Sequence, residues 1–464
     1  MKKLIVPFLL FILLPPRISS QELTLTEYLN WVLEEHPLAQ KARLNPQMRN
    51  AQYMQVKGLF DPLLESKFKN KFFKGTEYYS TSETSLSYNT PYAVGLVGHF
   101  DMNSGSYVNP ADYTSNGGLL ALGISMPLIK GLVIDERRMA KKRAEILLEA
   151  GNLEQQLALN ELLSQSVLLY SDWYYAVQKN NIIDSLVSTS ERRFFAVRSR
   201  YLGGDRSAMD TLEAYVQNQN RLLQFQESKL DVIKSRIALV SFLESINENR
   251  VAILNETILP SPNFKNELAP FRQGTYLFAQ LDAHPELALY ANKGESLRIE
   301  EKWKMEKLKP KLNVEYHFLN KDLSEGLPSY FSTNNYKWGA EFSMPLFLRE
   351  ARGDLKVQRI KIEENNLNTE WKRNQLEQKT LALEVAYTNT LSQQELAESN
   401  AALYERLLQA ENTKLFNGES SLFLVNQREN SYFENAIKAV ELDRKVQQVR
   451  IDQSALWILT FLKE

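Results

Sequence analysis

Hydrophobic and polar residues alternate along several short segments of the chain, and this period of two predicts β-strands. Four such strands are predicted, at about 61–74, 117–128, 311–319 and 336–345. In the first of them Leu64 and Phe68 fall on one face, whereas Lys67 and Lys69 fall on the other. A further alternating stretch at 81–102 predicts an extra hairpin, and the pattern leaves open whether this hairpin joins the same sheet.

The alternation is compatible with two kinds of sheet. A transmembrane barrel has lipid outside and a watery lumen, so its strands are apolar on one face and polar on the other. An antiparallel sheet that covers a soluble core gives the same pattern. Aromatic residues near the strand ends favour the barrel, because such residues form girdles at membrane interfaces. These residues are Tyr78, Tyr79, Tyr113, Tyr330, Phe331, Tyr336 and Trp338.

Two much longer segments, at about 135–201 and 353–416, lack proline and carry apolar residues largely at steps of three and four, which predicts α-helices. A helix of about 65 residues is about 100 Å long, several times the usual length. Each segment is followed by a glycine and a second helical pattern, so we predict antiparallel coiled-coil hairpins at 131–246 and 350–462. Because one hairpin has a single seam, the pair requires neighbours, and symmetric copies would close a tube with a polar inner wall.

The same landmarks occur twice in the same order, which predicts an internal duplication. The first half contains His36-Pro37, Met126-Pro127 and Gly204, and the second contains His284-Pro285, Met344-Pro345 and Gly418. We therefore predict two structural repeats, 21–246 and 274–464, each made of strands followed by a helical hairpin. The segment 247–273 contains three prolines and is predicted to be a linker.

The first twenty residues predict a secretory signal peptide. Lys2 and Lys3 precede an apolar run that ends before Pro15, and this run of about 11 residues is shorter than a membrane-spanning helix. We expect cleavage after Ser20. The chain has no cysteine, which excludes disulfides, thiolate metal sites and a lipidated N-terminal cysteine. A membrane location would therefore depend on the strands.

Taken together, these features resemble the TolC-like family of outer-membrane efflux proteins. The residues that carry the resemblance are Glu35-His36-Pro37, Phe60-Asp61-Pro62, Met126-Pro127-Leu128-Ile129-Lys130, Tyr201-Leu202-Gly203-Gly204 and Gly418-Glu419-Ser420-Ser421. The resemblance implies an α+β membrane protein that forms a homotrimer, in which four strands per chain build one 12-stranded transmembrane β-barrel. A coiled-coil tunnel would extend from this outer-membrane barrel into the periplasm, where its tips meet an adaptor protein that holds an inner-membrane transporter.

The resemblance also suggests two groups of site residues. Candidate adaptor contacts at the helix tips are Gly203, Gly204, Asp205, Asn417, Gly418, Glu419 and Ser420. The alternative is that the tip glycines only form the turns. Some family members narrow the tunnel with carboxylates beyond the second tip, but Leu424 and Gln427 occupy those positions here. The matching positions beyond the first tip are Asp210 and Glu213, a candidate pore constriction that could be held shut by Arg206; the alternative is that they are ordinary solvated carboxylates.

No sequence motif indicates catalysis. The four histidines form no HExxH motif, and no phosphate-binding or nucleophile motif is present, so we predict no enzyme activity, cofactor or metal. The net charge of -1, from 55 basic and 56 acidic residues, indicates no nucleic-acid partner. The predicted function is therefore export through an outer-membrane duct. The alternatives are a periplasmic adaptor with a coiled-coil hairpin and an adhesive coiled-coil surface protein.

Overall fold

The computed structural model describes residues 22–114, 117–242, 258–268, 281–321 and 333–456. The predicted signal peptide and most of the predicted linker 247–273 lie outside these residues. The chain divides into two compact units. The first, here called the helical unit, comprises Met1–Gln40, Leu159–Gly274 and Thr380–Glu464, and the second, the sheet unit, comprises Lys41–Ala158 and Thr275–Lys379.

The candidate sites lie on fifteen helices and strands of the described part of the chain. In chain order they are β1 (Glu22–Leu23), α1 (Leu25–Glu35), α2 (Pro37–Lys57), β2 (Leu63–Phe73), β3 (Thr76–Asn89), β4 (Gly95–Ser104), β5 (Leu119–Pro127), α3 (Glu136–Leu202), α4 (Ala208–Ser241), β6 (Leu259–Pro260), α5 (Pro285–Glu306), β7 (Lys311–Lys321), β8 (Tyr336–Ser343), α6 (Arg349–Phe416) and α7 (Leu422–Leu456). None of the described helices is both long and apolar enough to cross a membrane.

Both His-Pro pairs begin a helix by the same mechanism. Pro37 and Pro285 are the first residues of α2 and α5, where the missing N–H of proline costs no helical hydrogen bond. The Nδ1 atom of His36 accepts a hydrogen bond from the backbone N–H of Leu38, at 3.1 Å. His284 caps α5 in the same way and accepts from Glu286 at 3.2 Å. These histidines thus have structural roles at helix starts.

The helical unit has a core rich in aromatic side chains. Trp173 and Tyr170 on α3 pack together with Phe264, which belongs to a single helical turn at Phe264–Glu267. The Tyr170 hydroxyl donates to the carbonyl of Leu23 at 2.5 Å and accepts from the backbone N–H of Ser261 at 3.0 Å. It therefore joins the short parallel strands β1 and β6 to α3. Burial raises the pKa of this hydroxyl, so it remains protonated.

Polar contacts connect the four long helices of the helical unit. Within the first hairpin, Ser190 of α3 bonds Asn218 of α4 at 3.0 Å. Between the hairpins, Arg444 of α7 contacts Asp172 of α3 at 2.9 Å. Within the second hairpin, Gln453 of α7 donates to a backbone carbonyl of α6 at 3.2 Å. Helix α7 thus contacts both α3 and α6.

The sheet unit contains one antiparallel sheet with the strand order β2-β3-β4-β5-β7-β8. Its strands lie close to the predicted segments, and the stretch predicted as an extra hairpin at 81–102 falls on β3 and β4. This hairpin pairs with β2 on one side and β5 on the other. The described sheet therefore has six strands, two more than the four per chain that the resemblance implies for the barrel, and the strand number of an assembled barrel stays a prediction. The additional pair is placed by backbone hydrogen bonds to strands on both sides.

Candidate functional sites in the sheet and at the helix tips

One face of the six-stranded sheet carries apolar rows of side chains that run across the strands. The strand pairing aligns one row of side chains across all six strands, namely Leu64, Leu86, Gly98, Leu122, Phe318 and Tyr336. A neighbouring row contains Tyr88, Leu96, Ile124, Tyr316 and Trp338. We call this the apolar face. It crosses the hairpin β3–β4 in these two rows, whereas farther along β2 and β3 the same face carries Ser66, Ser82 and Thr84.

The apolar face is open in the described chain. Phe68 on β2 is 73% exposed, Ile124 on β5 is 50% exposed and Trp338 on β8 is 65% exposed. Soluble monomers seldom leave a continuous apolar patch of several strands uncovered, because exposing such a surface to water is costly. The alternative of a sheet packed on its own soluble core is therefore not supported by the described residues. This surface requires an apolar environment.

The opposite face of the sheet is polar and charged. One row contains Glu65, Ser85, His99 and Ala121, and another contains Lys67, Glu83 and Asp101. Lys311 and Glu341, which belong to neighbouring strands, form an ion pair at 3.0 Å on this face. Such a surface is compatible with water but not with hydrocarbon. Each strand therefore separates two environments, as the alternation predicted.

The two helix tips are built alike. At the first tip Gly204 has φ +84° and its N–H donates to the carbonyl of Tyr201, while Asp205 donates to Arg200. At the second tip Gly418 has φ +79° and donates to Leu415. These bonds satisfy the last carbonyls of α3 and α6, and the positive φ favours glycine. The interpretation of these glycines as turn formers therefore has a clear physical basis.

Replacing Gly204 with alanine is expected to lower the free energy of unfolding by about 1 kcal/mol, because an L-residue at positive φ is strained. Gly203 is the matched control, since its φ is not positive and an added Cβ would meet no atom closer than 3.6 Å. The comparison is made by urea titration of the detergent-extracted protein. Equal losses from Gly204→Ala and Gly203→Ala would contradict the assigned strain.

The two carboxylates of the predicted pore constriction, Asp210 and Glu213, accept hydrogen bonds from other residues of the same chain. Asp210 forms a capping box with Ser207 at the start of α4, with reciprocal bonds of 3.1 and 3.2 Å. Glu213 accepts a hydrogen bond from the side chain of Asn426 on α7 at 3.0 Å. Both therefore stabilise the helical unit, and a role in constriction remains a prediction.

A buried charge cluster near the tips was not found from the sequence. Glu429 of α7 is fully buried and lies between Arg193 of α3 and Arg221 of α4. Arg193 bonds one carboxylate oxygen of Glu429, and Arg221 lies 3.8 Å from the other. Burial lowers the pKa of Arg221, although the charge of Glu429 opposes this. Charged residues on long helices are usually solvated, so no sequence pattern distinguishes this cluster.

Arg221 has two further contacts with α7 that hold it in the cluster, besides a hydrogen bond to Gln224 of its own helix. Its Nη2 atom donates to the side chain of Asn430 at 2.5 Å, and its guanidinium lies 4.6 Å from the ring centroid of Phe433. Both partners are on α7. The cluster therefore links the second helix of each hairpin and also includes α3 through Arg193.

Comparison with known proteins identifies the fold. No protein-family model and no curated protein sequence matches the chain significantly. Among solved structures, a membrane protein from Pseudomonas aeruginosa aligns with a TM-score of 0.68 and 14% identity, covering 93% of this chain and 92% of that one. The CmeC outer membrane channel of Campylobacter jejuni aligns with a TM-score of 0.65 and 13% identity, covering 93% and 85%. The MtrE outer membrane channel of Neisseria gonorrhoeae aligns with a TM-score of 0.66 and 14% identity, covering 95% and 92%.

At these identities the comparisons define the fold alone. The chain has the fold of outer-membrane efflux channels, and the predicted resemblance to the TolC-like proteins is confirmed at the level of the fold. The similarity extends over more than nine-tenths of the chain, so it includes strands and long helices together.

Proposed function

We propose that this protein is an outer-membrane export channel. The observation that carries the proposal is the apolar face, which is continuous over six strands and uncovered, in a chain with the fold of outer-membrane channels. Lipid would cover this face, and the polar face would line a water-filled pore. Such a duct needs no chemical step of its own, so the proposed role is not enzymatic.

The complete channel is proposed to be a homotrimer with a closed barrel and a periplasmic tunnel made from the long helices. In this proposal 21–246 and 274–464 are the two structural repeats. The tips at Gly204 and Gly418 would meet a periplasmic adaptor, which in turn would hold an inner-membrane transporter. Three copies of Asp210 and Glu213 would face one another near the tunnel end. The fold likeness and the similar geometry of the two tips support this arrangement.

The periplasmic adaptor is the weaker candidate. An adaptor does not require a broad apolar sheet face, whereas this chain exposes one across six strands. The similarity to channels also covers both the strands and the long helices. The export channel therefore accounts for more of the structure.

The experiment that tests the proposal compares two neighbouring positions of β5. Ile124 lies on the apolar face and Ser125 on the polar face, opposite Glu315. Since the chain has no cysteine, Ile124→Cys and Ser125→Cys each introduce a single site for a spin label. In reconstituted protein the label at 124 should be reached by oxygen dissolved in lipid, and the label at 125 by a water-soluble relaxation agent. Water-phase accessibility at both positions would contradict the proposal.

Arginine substitutions at the same two positions are expected to differ strongly in effect. Ile124→Arg should destabilise the inserted protein by about 2–4 kcal/mol, because it places a charge in hydrocarbon. Ser125→Arg should have a much smaller effect, since the side chain would point into water. The amount of intact oligomer extracted from the outer membrane measures both. An equal loss for the two variants would argue against lipid on the apolar face.

A further inference from the structure

The six-stranded sheet of one chain has two open edges. Its outermost strands are β2 and β8, and neither pairs with another strand on its outer side among the described residues. Every residue of both strands is exposed. The edges are long, with 11 residues in β2 and 8 in β8. They therefore present two rows of backbone groups with no partner strand.

An unpaired strand edge is unfavourable in the hydrocarbon core of a bilayer. A strand in a bilayer must have its N–H and C=O groups paired, because no water is available to bond them. The apolar face reaches both edges, with Phe68 at 73% exposure on β2 and Phe342 at 66% on β8. If lipid covers this face, the edges lie in lipid as well and must be paired.

Lysines on β2 allow a different interpretation, since charged residues often protect the edge strands of soluble sheets. Lys67 and Lys69, however, lie on the polar face, where Lys67 contacts Glu65 at 3.2 Å. The opposite face of β2 carries the exposed apolar residues Leu64 and Phe68, with Ser66 and Asn70 at the positions between and after them. The edge of a soluble sheet would not need exposed residues as large and apolar as Leu64 and Phe68, so the lysines are better explained as residues that face water in a pore.

The strand number makes the two edges complementary. All five pairings within the sheet are antiparallel, so in a sheet of six strands β2 and β8 run in opposite directions. Strand β8 of one copy can therefore pair with β2 of the next and continue the antiparallel ladder. Six strands are also fewer than the eight of the smallest membrane barrels, so one chain does not close alone.

We propose that the barrel of this protein has eighteen strands, six from each of three copies, closed by β8 of one copy against β2 of the next. The copy number rests on the homotrimer of the proposed function, whereas the six strands per copy come from the observed sheet. The hairpin β3–β4 is thus part of the barrel wall. Its apolar residues Leu86 and Leu96 face lipid, and its polar residues Ser85 and His99 face the pore.

The additional strands increase the diameter of the barrel. With strands about 4.8 Å apart and tilted by about 40°, twelve strands give a backbone diameter of about 24 Å and eighteen give about 36 Å. Barrels of sixteen to eighteen strands hold an open aqueous channel. The barrel wall would therefore admit larger cargo than a twelve-stranded wall, and the size limit would be set by the helices or the surface loops.

Cysteine pairs placed along one row of the polar face test the strand order. Glu65 on β2 lies directly opposite Ser85 on β3, whereas Ala121 on β5 is three strands from Glu65, a separation of about 14 Å. A disulfide requires Cα atoms within about 7 Å. In the assembled channel, Glu65→Cys with Ser85→Cys should crosslink within a chain, and Glu65→Cys with Ala121→Cys should not. The opposite result would show a twelve-stranded wall that excludes the hairpin and would overturn the inference.

Closure between copies is tested by a second set of pairs. Each of Lys67→Cys, Lys69→Cys and Lys71→Cys on β2 is combined with Gly339→Cys or Glu341→Cys on β8, so that the pairs sample several closing registers. At least one combination should link neighbouring copies into covalent oligomers on denaturing gels. If every combination fails while the Glu65–Ser85 pair forms, the proposed closure is wrong.

A deletion variant and a mass measurement show whether a negative result refutes the eighteen strands alone or the export channel as well. Removing residues 74–104 joins Phe73 to the loop before β5 and leaves four strands per chain. Electron microscopy of the full protein should show a ring wider than that of the deletion variant by about half. A trimer with rings of equal width would refute the eighteen strands but leave the export channel intact. A particle that is not a trimer would refute both.

Discussion

Replacing Glu429 with alanine is expected to lower the free energy of unfolding by about 3–5 kcal/mol, the usual cost of removing one partner from a buried charge pair. Glu429 is completely buried, and its carboxylate is placed between Arg193 and Arg221. Without it two guanidinium groups would remain in the protein interior without a counter-charge. Because the three residues belong to α7, α3 and α4, the loss should be greatest near the helix tips.

Urea titration of the detergent-extracted protein measures this loss, and hydrogen exchange locates it. The matched control is Glu441→Ala, an exposed glutamate on the same helix but farther from the cluster, which should change stability by less than about 0.5 kcal/mol. Adding Arg221→Met to Glu429→Ala should recover part of the stability, since it removes one of the uncompensated charges. If Glu429→Ala is as mild as the control, the buried cluster does not stabilise the helical unit.

Replacing Trp173 with alanine should have a comparable effect, with a loss of about 3–5 kcal/mol. The Trp173 side chain has no measurable exposure and packs on Tyr170 at a ring distance of 5.7 Å. Alanine would leave a large cavity at the centre of the aromatic core. The indole Nε1 atom has no hydrogen-bond partner in the described structure, so the loss is one of packing.

Trp173→Phe therefore separates packing from hydrogen bonding. Phenylalanine keeps most of the aromatic contact and loses no hydrogen bond, so its cost should be less than half that of alanine. Both variants are compared by urea titration under identical detergent conditions. A phenylalanine variant as unstable as the alanine variant would contradict a core held mainly by aromatic packing.

Local patterns predicted much of the secondary structure. Alternating residues such as Leu64 and Lys67 reflect the two environments of a strand, and they place β2 within two residues of its predicted limits. The glycines at the tips also have a local cause, since Gly204 and Gly418 both require a positive φ. Such features depend on a few neighbouring residues and are therefore visible in the sequence.

Features that depend on distant residues were not predicted. Glu429 meets Arg193 more than two hundred positions away, and nothing in the local pattern of α7 distinguishes it from its exposed neighbours. The position of the hairpin β3–β4 in the sheet depends on its pairing with both β2 and β5. The alternation of residues predicts a strand but does not show which strands pair. For the same reason the parallel pair of β1 and β6 was not anticipated.

Copies of this chain are proposed to form a membrane-inserted duct, and the mass of the detergent-extracted protein tests this proposal. Light scattering combined with negative-stain imaging should give a protein mass of about three times the 53.6 kDa chain, less the signal peptides. The particle should be an elongated rod longer than about 100 Å, since α3 alone has 67 residues. A monomer or dimer that is recovered from the periplasm without detergent would contradict a membrane-inserted duct.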